Sequence, residues 1–244
     1  MFLKKKKGLP NNLPTHISFI IDGNGRWAKK RGMPRTYGHK IGFEAVKRTV
    51  DFVEECKIPY VSFYCFSTEN WKRDQKEIDG IFDLVRNELL NNVIQDYIKR
   101  NIRLKVYGDI SKFPKDLQDA LVDAINKTAE NTGTTVILCL NYGGRDEILR
   151  AVNNILKSGK KEATLKDIEE NLYSAGVPDP DFIVRTSGEN RISNYMLYQA
   201  AYSEFYFPGI LWPDFNKKHF FEALWEYAGR NRRYGGIKKW KKDF

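Results

Sequence analysis

Short apolar runs alternate along the chain with longer segments in which apolar residues recur every three or four positions. The short runs predict strands at residues 16–21, 61–66, 102–107, 135–140 and 182–184. The longer segments predict helices at about residues 39–55, 77–99, 115–130, 145–157, 165–173 and 217–229. Strands that alternate with helices favour a parallel sheet. We therefore expect an α/β fold in a single domain, with a mostly parallel central β-sheet of about six strands flanked by helices.

The segment at residues 77–99 has the clearest helical pattern. Its apolar positions are Ile78, Ile81, Phe82, Val85, Leu89, Val93 and Ile94. A stripe of this kind usually packs against a sheet, and it could instead line a tunnel for a hydrocarbon chain. The sequence leaves both interpretations open.

The excess of positive charge lies mainly at the ends of the chain. The 244 residues include 41 basic and 31 acidic ones, a formal charge of +10, of which residues 4–7 contribute +4 and residues 238–244 contribute +3. We predict a basic, flexible N-terminal tail at residues 1–15, a folded domain at residues 16–236 and a basic C-terminal tail at residues 237–244. Such tails are solvated ends or loose contacts with an anionic membrane. Charge concentrated in them argues against nucleic acid as a partner.

The cysteines and apolar runs bear on the cellular compartment. Cys56, Cys65 and Cys139 form no CxxC pair, so neither a zinc site nor a disulfide framework is predicted. No apolar run approaches the roughly 20 residues that span a bilayer, and the first residues do not resemble a secretory signal. We expect a cytoplasmic protein that is soluble or at most peripheral at the inner face of the membrane.

The segment DGNGRWA, residues 22–28, follows the first predicted strand and precedes a helix. Open α/β sheets bind ligands at that end of their strands. Glycines let backbone N–H groups approach an anion, and Arg26 adds a guanidinium suited to phosphate oxygens. The spacing differs from the nucleotide-binding glycine motifs. A glycine-containing turn of this kind is by itself more often just a turn, and a phosphate cradle without nucleotide is the functional interpretation.

Asp22 would repel a phosphate ligand unless a cation lay between them. Because Mg²⁺ commonly binds one or two carboxylates together with substrate phosphates, Asp22 is a candidate Mg²⁺ ligand and Glu204 a second one. The alternative role for Asp22 is a cap for the following helix.

Arg35 and His39 lie four residues apart where a helix begins, so they share a face and can both donate to phosphate.

Two further polar clusters follow predicted strands. Residues 66–73, FSTENWKR, come after the second strand and residues 185–193, RTSGENRIS, after the fifth. Carboxyl ends of parallel strands meet at one edge, so these clusters should join Asp22 in one site. Arg185 and Arg191 would hold a diphosphate, although a single arginine more often forms a surface ion pair. For the turn NYGGR, residues 141–145, we expect a structural role.

Taken together, these segments resemble the cis-prenyltransferase family, in particular bacterial undecaprenyl diphosphate synthases. The similar segments are, in order, DGNGRWA, GHKIG, FSTENWKR, NYGGRDEI, VRTSGENRIS, SEFYF and LWPDF, and they extend over about residues 16–236. Val184 stands where the family has Ile and Thr68 where many bacterial members have Ser. Asn190 stands where many have His, which leaves a metal or phosphate contact at that position without support. The DDxxD motifs of trans-prenyltransferases are absent from the sequence.

The resemblance implies a Mg²⁺-dependent enzyme that works as a homodimer. It would condense isopentenyl diphosphate with an allylic diphosphate, expected to be farnesyl diphosphate, into a long-chain Z-polyprenyl diphosphate. The expected product is undecaprenyl diphosphate for the lipid carrier of cell-wall peptidoglycan, and the growing chain would occupy an apolar tunnel. Product length and preferred starter do not follow from the sequence. The alternative is a non-catalytic partner subunit, against which the retention of Asp22, Arg26 and His39 argues.

The resemblance also implies roles for individual residues. Asp22 would be the main catalytic carboxylate and would bind Mg²⁺, with Glu204 of the partner subunit as a second ligand. The residues expected to contact the allylic diphosphate are Gly23, Asn24, Gly25, Arg26, Arg35 and His39. Those expected to hold isopentenyl diphosphate or to line the substrates are Trp27, Ser67, Thr68, Glu69, Trp71, Arg73, Arg185, Arg191, Ile192 and Ser193.

Asn70 matches a position that is sometimes assigned as proton acceptor. A neutral amide is a poor base, so we expect Asn70 to orient or relay while Asp22 or a phosphate oxygen takes the proton. Near the end of the chain, Arg233 and Gly235 resemble an RxG element that reaches toward the partner's site in some relatives.

Overall fold

The computed structural model describes residues 8–88 and 93–230. Its strands are β1 His16–Ile20, β2 Tyr60–Ser67, β3 Arg103–Tyr107, β4 Thr135–Tyr142, β5 Phe182–Arg185 and β6 Glu204–Tyr206. Its α-helices are α1 Asn24–Lys29, α2 Arg35–Glu55, α3 Gln75–Glu88, α4 Ile94–Lys99, α5 Lys115–Lys127, α6 Gly144–Lys157, α7 Leu165–Asn171 and α8 Lys217–Ala228. The basic segments at residues 4–7 and 238–244 and the RxG element lie outside the described residues.

The six strands form one parallel sheet in the order β3-β4-β2-β1-β5-β6. This confirms the expected α/β domain with a parallel sheet flanked by helices. Five of the strands match the predicted positions, and the sixth is the three-residue β6 at the sheet edge. A strand of three residues is too short to show an alternating pattern, so its position was not predicted.

The two faces of the sheet belong to separate hydrophobic clusters. One cluster joins strand residues such as Ile17 and Phe63 to side chains from α2, α3, α5 and α8. The other joins Ile20 and Tyr64 to Tyr195 and its neighbours on the opposite face. Successive strand residues point to opposite faces, and because both faces are covered, polar strand residues such as Ser18 and Ser62 are buried as well.

Helix α2 begins at Arg35 rather than near residue 39, because Pro34 is extended and serves as its N-cap. The predicted helix at 77–99 is matched by α3 and α4, and residues 89–92 between them lie outside the described residues. Ile78 and Phe82 of α3 are buried in the main core. Core packing is thus one role of the predicted apolar stripe.

Part of the predicted N-terminal tail is attached to the domain. Leu13 packs against the main core, and the Thr15 amide donates to Oδ2 of Asp181 at 2.7 Å. Pro10 and Pro14 are buried. The folded body therefore begins before His16. Among the helices of the described ranges, none is both long and apolar enough to cross a membrane.

Candidate active site

Three loops that carry predicted site residues meet at the carboxyl-terminal edge of the sheet. They follow β1, β2 and β5, which are neighbours in the order β2-β1-β5. The chain leaves β1 toward α2 on one face of the sheet and leaves β5 toward Tyr195 on the other face. Open α/β sheets bind ligands at the boundary between two neighbouring strands whose connections leave toward opposite faces. The parallel register thus brings together the loops at residues 22–28, 67–73 and 185–193.

Asp22 is held at this boundary by its own backbone. Its carbonyl oxygen accepts hydrogen bonds from the Thr186 hydroxyl at 2.7 Å and from the Trp212 amide at 3.1 Å. The next residue, Gly23, has a φ of 115°, a left-handed conformation that glycine adopts readily. A Cβ at Gly23 would also lie 3.1 Å from the backbone of Leu211. The chain therefore turns sharply after β1 and leaves the Asp22 carboxylate at the sheet edge.

The Asp22 carboxylate pairs with two arginines rather than with a helix terminus. Its Oδ2 lies 3.0 Å from Nη2 of Arg185 and 3.1 Å from Nη2 of Arg26. Gly23 is the N-cap of α1, which has no side-chain capping bond within the described residues, so the capping role for Asp22 is wrong. Burial raises the pKa of the Asp22 carboxyl, but the hydrogen bonds and charges of Arg185 and Arg26 outweigh it and hold that pKa below its usual value. Asp22 is therefore ionised at neutral pH.

Arg185 organises the loop that follows β5 and is only 5% exposed. Its Nη1 donates to the Arg191 carbonyl at 2.6 Å and to the Ser193 hydroxyl at 2.8 Å. Ser193 has a φ of 50°, and this left-handed turn is fixed by the bond to Arg185. One buried guanidinium thus connects the β5 loop to Asp22 on the β1 loop.

Glu189 bridges the arginines on the outer side of the site. Its Oε1 lies 2.8 Å from Nη1 of Arg26, and its Oε2 lies 2.6 Å from Nη1 of Arg191. Arg26 also donates to the Ser187 hydroxyl. The side chain of Arg191 is 60% exposed, so its pair with Glu189 can separate at little cost when a ligand binds.

A second cluster lies where α2 begins. Arg35 and His39 on α2, and Arg73 just before α3, all donate to the carboxylate of Glu77. Burial lowers the pKa of His39; Glu77 opposes this effect, while the charges of Arg73 and Arg35 add to it. His39 is therefore neutral at neutral pH, and its Nε2–H donates to the carboxylate, which can only accept.

Asn24 and Gly25 lie between the two clusters. A Cβ at Gly25 would lie 2.9 Å from the guanidinium carbon of Arg35, so the absence of a side chain gives that guanidinium its place. The buried Oδ1 of Asn24 has no hydrogen-bond partner among the described residues. A buried acceptor of this kind is costly when left unpaired.

Asn70 closes the turn that follows β2. Its Oδ1 accepts the backbone N–H of Ser67 at 3.1 Å, and the Ser67 side chain in return accepts the backbone N–H of Asn70 at the start of the short 3-10 helix Thr68–Lys72. The Asn70 side chain thus fixes the backbone of this loop. A part for Asn70 in the chemistry stays a prediction.

The neighbours of Asn70 connect this turn to the loops around it. The connecting bonds run from Thr68 to Asp146 at 3.1 Å, from Asn194 to Glu69 at 3.0 Å and from Trp71 to Asn141 at 2.8 Å. The turn at residues 141–145 therefore supports the β2 loop. This structural role is the one that the sequence analysis expected for it.

Trp27 and Ile192 contact other parts of the protein in the structure. Trp27 is 8% exposed, donates its indole N–H to Asp214 at 2.7 Å and stacks with Arg31, 4.0 Å from the ring centre. Ile192 packs against the hydrophobic cluster that contains Tyr195. These contacts stabilise the fold, and substrate contacts of Trp27 and Ile192 stay predictions.

Glu204 does not lie near Asp22 within one chain. In the sheet, Glu204 on β6 lies opposite Phe182 on β5, and Phe182 lies opposite Ile17 on β1. Ile17 lies roughly 10 Å or more along the strand from the Asp22 end of the sheet. Glu204 pairs instead with Arg230 at 2.9 Å. Within residues 8–88 and 93–230, no group of three or more acidic, His or Cys side chains is arranged to hold a metal ion.

An apolar cavity opens beside these clusters and runs under the sheet. Its lining is Ile21, Asn24, His39, Gly42, Phe43, Val46, Lys47, Cys65, Ile81, Leu84, Val85, Val93, Tyr97, Leu104, Leu138 and Leu140. From Ile21 after β1 to Leu104 on β3, the cavity passes three strand spacings, roughly 14 Å across the sheet. Ile81 and Val85 of α3 form part of its wall. The apolar stripe of α3 thus serves both the core and a cavity.

Comparisons with known proteins agree with this arrangement. The family model described as "Putative undecaprenyl diphosphate synthase" matches residues 20–235. The isoprenyl transferase of Clostridium tetani is 47% identical over 93% of this chain and 91% of its own length, and that of Bacillus subtilis is 42% identical over 96% and 92%. The chain belongs to the undecaprenyl diphosphate synthase family. As a member of it, the protein is a prenyltransferase.

Two solved structures share the fold of this undecaprenyl diphosphate synthase family member. Lavandulyl diphosphate synthase from Lavandula x intermedia, in complex with dimethylallyl diphosphate, has a TM-score of 0.88 at 30% identity and covers 91% of this chain and 98% of its own. A probable undecaprenyl diphosphate synthase from Campylobacter jejuni has a TM-score of 0.77 at 30% identity and covers 92% and 99%. Prenyl diphosphate synthases thus share both the sequence pattern and the architecture.

Three site residues of this undecaprenyl diphosphate synthase family member were not predicted from the sequence. Glu77 and Glu189 neutralise the arginines, and Thr186 holds the Asp22 backbone. Glu77 follows Arg73 by four residues, a spacing at which ion pairs form on helices and which could have identified it. Glu189 stands two residues before Arg191, a separation with no such general signal.

Proposed function

We propose that this protein is a Mg²⁺-dependent cis-prenyltransferase that condenses isopentenyl diphosphate with an allylic diphosphate. The proposed starter is farnesyl diphosphate, and the proposed product is a long-chain Z-polyprenyl diphosphate, most simply undecaprenyl diphosphate for the cell-wall lipid carrier. The observation that carries the proposal is the position of Asp22, Arg26 and Arg185 beside an apolar cavity. An allylic diphosphate has an anionic head and an apolar tail, so a single molecule fits both parts.

The arginines divide naturally between two head groups. Arg26 and Arg35 flank the glycine turn at residues 23–25 and would hold the allylic diphosphate. Arg185, Arg191 and Ser193 form the β5 loop and would hold isopentenyl diphosphate. Fixed donors of this kind stabilise charge as it develops on a leaving group. A structural relative in complex with dimethylallyl diphosphate, itself an allylic diphosphate, supports the substrate class.

The residues present fit one Mg²⁺ ion shared with substrate. Oδ2 of Asp22 is occupied by two guanidinium groups, whereas Oδ1 has no hydrogen-bond partner among the described residues. Mg²⁺ commonly takes one or two carboxylates and completes its shell with substrate phosphates and water. Asp22 would therefore hold the ion together with diphosphate oxygens. When bound, Mg²⁺ would neutralise charge on the departing diphosphate.

The proposed reaction breaks one bond and forms another. The allylic carbon–oxygen bond breaks and its electron pair leaves with the diphosphate, while the isopentenyl double bond attacks the allylic carbon to form the new carbon–carbon bond. Loss of one proton then gives the Z double bond. The lowered pKa of Asp22 makes its carboxylate a weak base, which favours a diphosphate oxygen as the proton acceptor.

We also propose that the enzyme acts as a homodimer in the cytoplasm, with peripheral contact at the inner face of the membrane. Glu204 lies far from Asp22 along the sheet of its own chain. A second carboxylate at the metal would therefore come from Glu204 of the partner subunit. Release of an apolar product favours a site close to a membrane.

The test is a product assay with labelled isopentenyl diphosphate and farnesyl diphosphate, with and without Mg²⁺. Wild-type protein should give a Mg²⁺-dependent ladder of polyprenyl products. Asp22→Ala should lower turnover by about a thousand-fold. It should not weaken binding of inorganic diphosphate. Without the Asp22 carboxylate, the guanidinium groups of Arg26 and Arg185 lose their internal partner and can pair with the ligand instead. Asp119→Asn, which removes an exposed carboxylate paired with Lys115 on α5, is the matched control and should behave as wild type.

A failure of this assay would point to the alternative function. If folded wild-type protein gives no product with allylic starters of any length, the non-catalytic partner subunit becomes the better proposal. Retention of the paired Asp22, Arg26 and Arg185 argues against that outcome.

A further inference from the structure

Glu77 receives more hydrogen bonds from predicted substrate-binding residues than any other carboxylate that the structure describes. It lies in the first turn of α3 with its side chain 11% exposed. Arg35 approaches with Nε at 2.9 Å and Nη2 at 3.3 Å, His39 with Nε2 at 3.0 Å and Arg73 with Nη1 at 3.2 Å. One carboxylate therefore gathers three donors from two separate segments of the chain.

Each of the two arginines gives Glu77 only part of its hydrogen-bonding capacity. A guanidinium has five N–H groups in a planar fork. Arg35 uses Nε and Nη2 on Glu77, and its Nη1 lies 3.0 Å from the position of a Cβ at Gly25. Arg73 uses Nη1 alone on Glu77. The carboxylate thus holds one edge of the Arg35 guanidinium, while the face of that group lies against the glycine turn next to Asp22, with its carbon, Nη1 and Nη2 at 2.9, 3.0 and 3.1 Å from the position of a Cβ at Gly25.

We propose that Glu77 is a positioning residue of the allylic head-group site: it holds Arg35 and Arg73 so that their remaining N–H groups are available to the diphosphate, and it fixes the imidazole ring of His39 beside them. This inference rests on the proposed function and adds a residue to it. Glu77 itself would not touch the substrate. Its effect would pass through the orientation of the two arginines and the histidine.

Electrostatics explain why the site needs a carboxylate at this point. Burial lowers the pKa of Arg73, and the nearby charge of Arg35 lowers it further while Glu77 opposes both. Without Glu77, two like charges and an imidazole would share a half-buried space with no common acceptor, and they would move apart. A glutamine would keep the shape but place N–H groups against guanidinium donors. Loss of the charge should therefore disorder the site before any ligand arrives.

The same helix offers a matched control. Glu88 lies in the last turn of α3 and pairs with Lys47 of α2 at 3.4 Å. Glu88→Gln removes an ion pair between α3 and α2, as Glu77→Gln does, but it leaves Arg35, His39 and Arg73 in place. The pair of variants separates head-group positioning from simple attachment of α3.

The experiment measures the two ends of the substrate separately on the full chain. Titration calorimetry with inorganic diphosphate reports the head-group site, and binding of farnesol, an uncharged prenyl alcohol, reports the apolar cavity. We expect E77Q to weaken diphosphate binding by about ten-fold or more, the usual effect of losing hydrogen bonds to charged groups. Farnesol binding by E77Q should stay within about two-fold of wild type, and E88Q should bind diphosphate as wild type does.

Several results would overturn the proposal. Diphosphate binding by E77Q that equals or exceeds that of wild type would mean that Glu77 competes with the ligand. A parallel loss of both probes in E77Q and E88Q would mean that Glu77 only attaches α3. If E77Q does not fold, Glu77→Asp replaces it, because the shorter carboxylate keeps the charge but cannot reach all three donors, and unchanged diphosphate binding would again contradict the proposal. Wild-type protein that binds neither diphosphate nor farnesyl diphosphate would instead defeat the proposed function itself.

Discussion

The two faces of the central sheet are built from the same strands but differ in chemistry. The face toward α2 and α3 carries side chains such as Ile17, Phe19 and Phe63, and we call it the cavity face. The opposite face carries Ser18 and Ser62 in alternation with them, and we call it the hydroxyl face. Both faces are buried, so the difference lies in the kind of contact each face makes.

Directional bonds hold the hydroxyl face together. The Ser18 hydroxyl donates to the Tyr195 hydroxyl at 2.8 Å, and Tyr195 donates to Ser62 at 3.1 Å. Ser62 lies 3.0 Å from Nε2 of His16, whose Nδ1 lies 2.8 Å from the carbonyl of Pro178. The His16 ring therefore donates through Nδ1 and accepts through Nε2. Each group in this chain has one position in which its bonds are made.

Apolar packing on the cavity face has no such requirement. Contacts between aliphatic side chains are non-directional, so the strand residues that line the cavity, such as Leu138 and Leu140, leave no polar side chain unpaired there. A ligand tail can enter the cavity and gain contacts while breaking no hydrogen bond. The comparison teaches that directional bonds fix side-chain positions on the hydroxyl face, while non-directional packing on the cavity face leaves an apolar space.

Removal of Glu147 should have the largest effect on the hydroxyl face. This side chain is 1% exposed and accepts from the Tyr142 hydroxyl, from Gln199 at 3.0 Å and from the Tyr173 amide at 2.7 Å. Glu147→Ala would leave the buried Tyr142 hydroxyl, one N–H of Gln199 and the half-buried Tyr173 amide without this acceptor, and we expect a loss of about 4 kcal/mol in the free energy of unfolding. Urea denaturation followed by circular dichroism measures it.

Glu147→Gln is the control for this prediction. It keeps the side-chain volume and one acceptor oxygen, so its loss should be clearly smaller than that of Glu147→Ala. Equal losses for the two variants, or a loss below about 1 kcal/mol for the alanine variant, would show that these bonds do not hold the hydroxyl face.

Acid should weaken the same face through His16. Burial lowers the pKa of His16 from 6.5 to about 4, although Pro178 and Asp181 oppose the shift. The unfolded chain binds a proton near pH 6.5 and the folded chain only near pH 4, so stability falls as the pH falls through that window. The loss between pH 7.5 and 4.5 should be roughly 2 to 3 kcal/mol from this residue.

His16→Gln separates this effect from the titration of carboxylates, which both proteins share. The variant should be less stable at pH 7.5, because it lacks the imidazole bonds. It should lose less stability than wild type on acidification. Identical pH dependence of the unfolding free energy in the two proteins would contradict the assignment to His16.

The comparison also explains what the sequence could predict. Apolar runs and helical spacing depend on local patterns, so β1 to β5 and most helices lie close to their predicted positions. The rule that ligands bind at strand ends brought Asp22 and Arg185 into one site, although 163 residues separate them. The apolar stripe on α3 suggested a cavity, but the sequence could not distinguish a cavity wall from core packing. Both roles require apolar side chains at the same helical spacing.

Partners that depend on three-dimensional packing escaped prediction. Glu77 meets Arg35 and His39 because α3 packs beside the start of α2, and those pairs are separated by 42 and 38 residues. Asp22 was open to two roles until its pairing with Arg185 was known. The polar chain through His16 likewise requires the register of β1 against β2, which places His16 level with Tyr60.

The smallest effect is expected from two substitutions that fill space on the cavity face. Val46 and Val53 both lie on α2, two turns apart, with 6% and 0% exposure, but only Val46 lines the cavity. Val53→Phe must push packed neighbours aside and should cost about 2 kcal/mol, whereas Val46→Phe can extend into the cavity and should cost less than about 1 kcal/mol.

Under the proposed function, Val46→Phe should also shorten the longest polyprenyl product, while folded Val53→Phe should keep the wild-type length. Denaturation midpoints and product chromatography measure the two effects. Equal destabilisation would mean that the space beside Val46 is not available to a side chain, and a stable Val46→Phe enzyme with unchanged products would mean that the growing chain does not pass Val46.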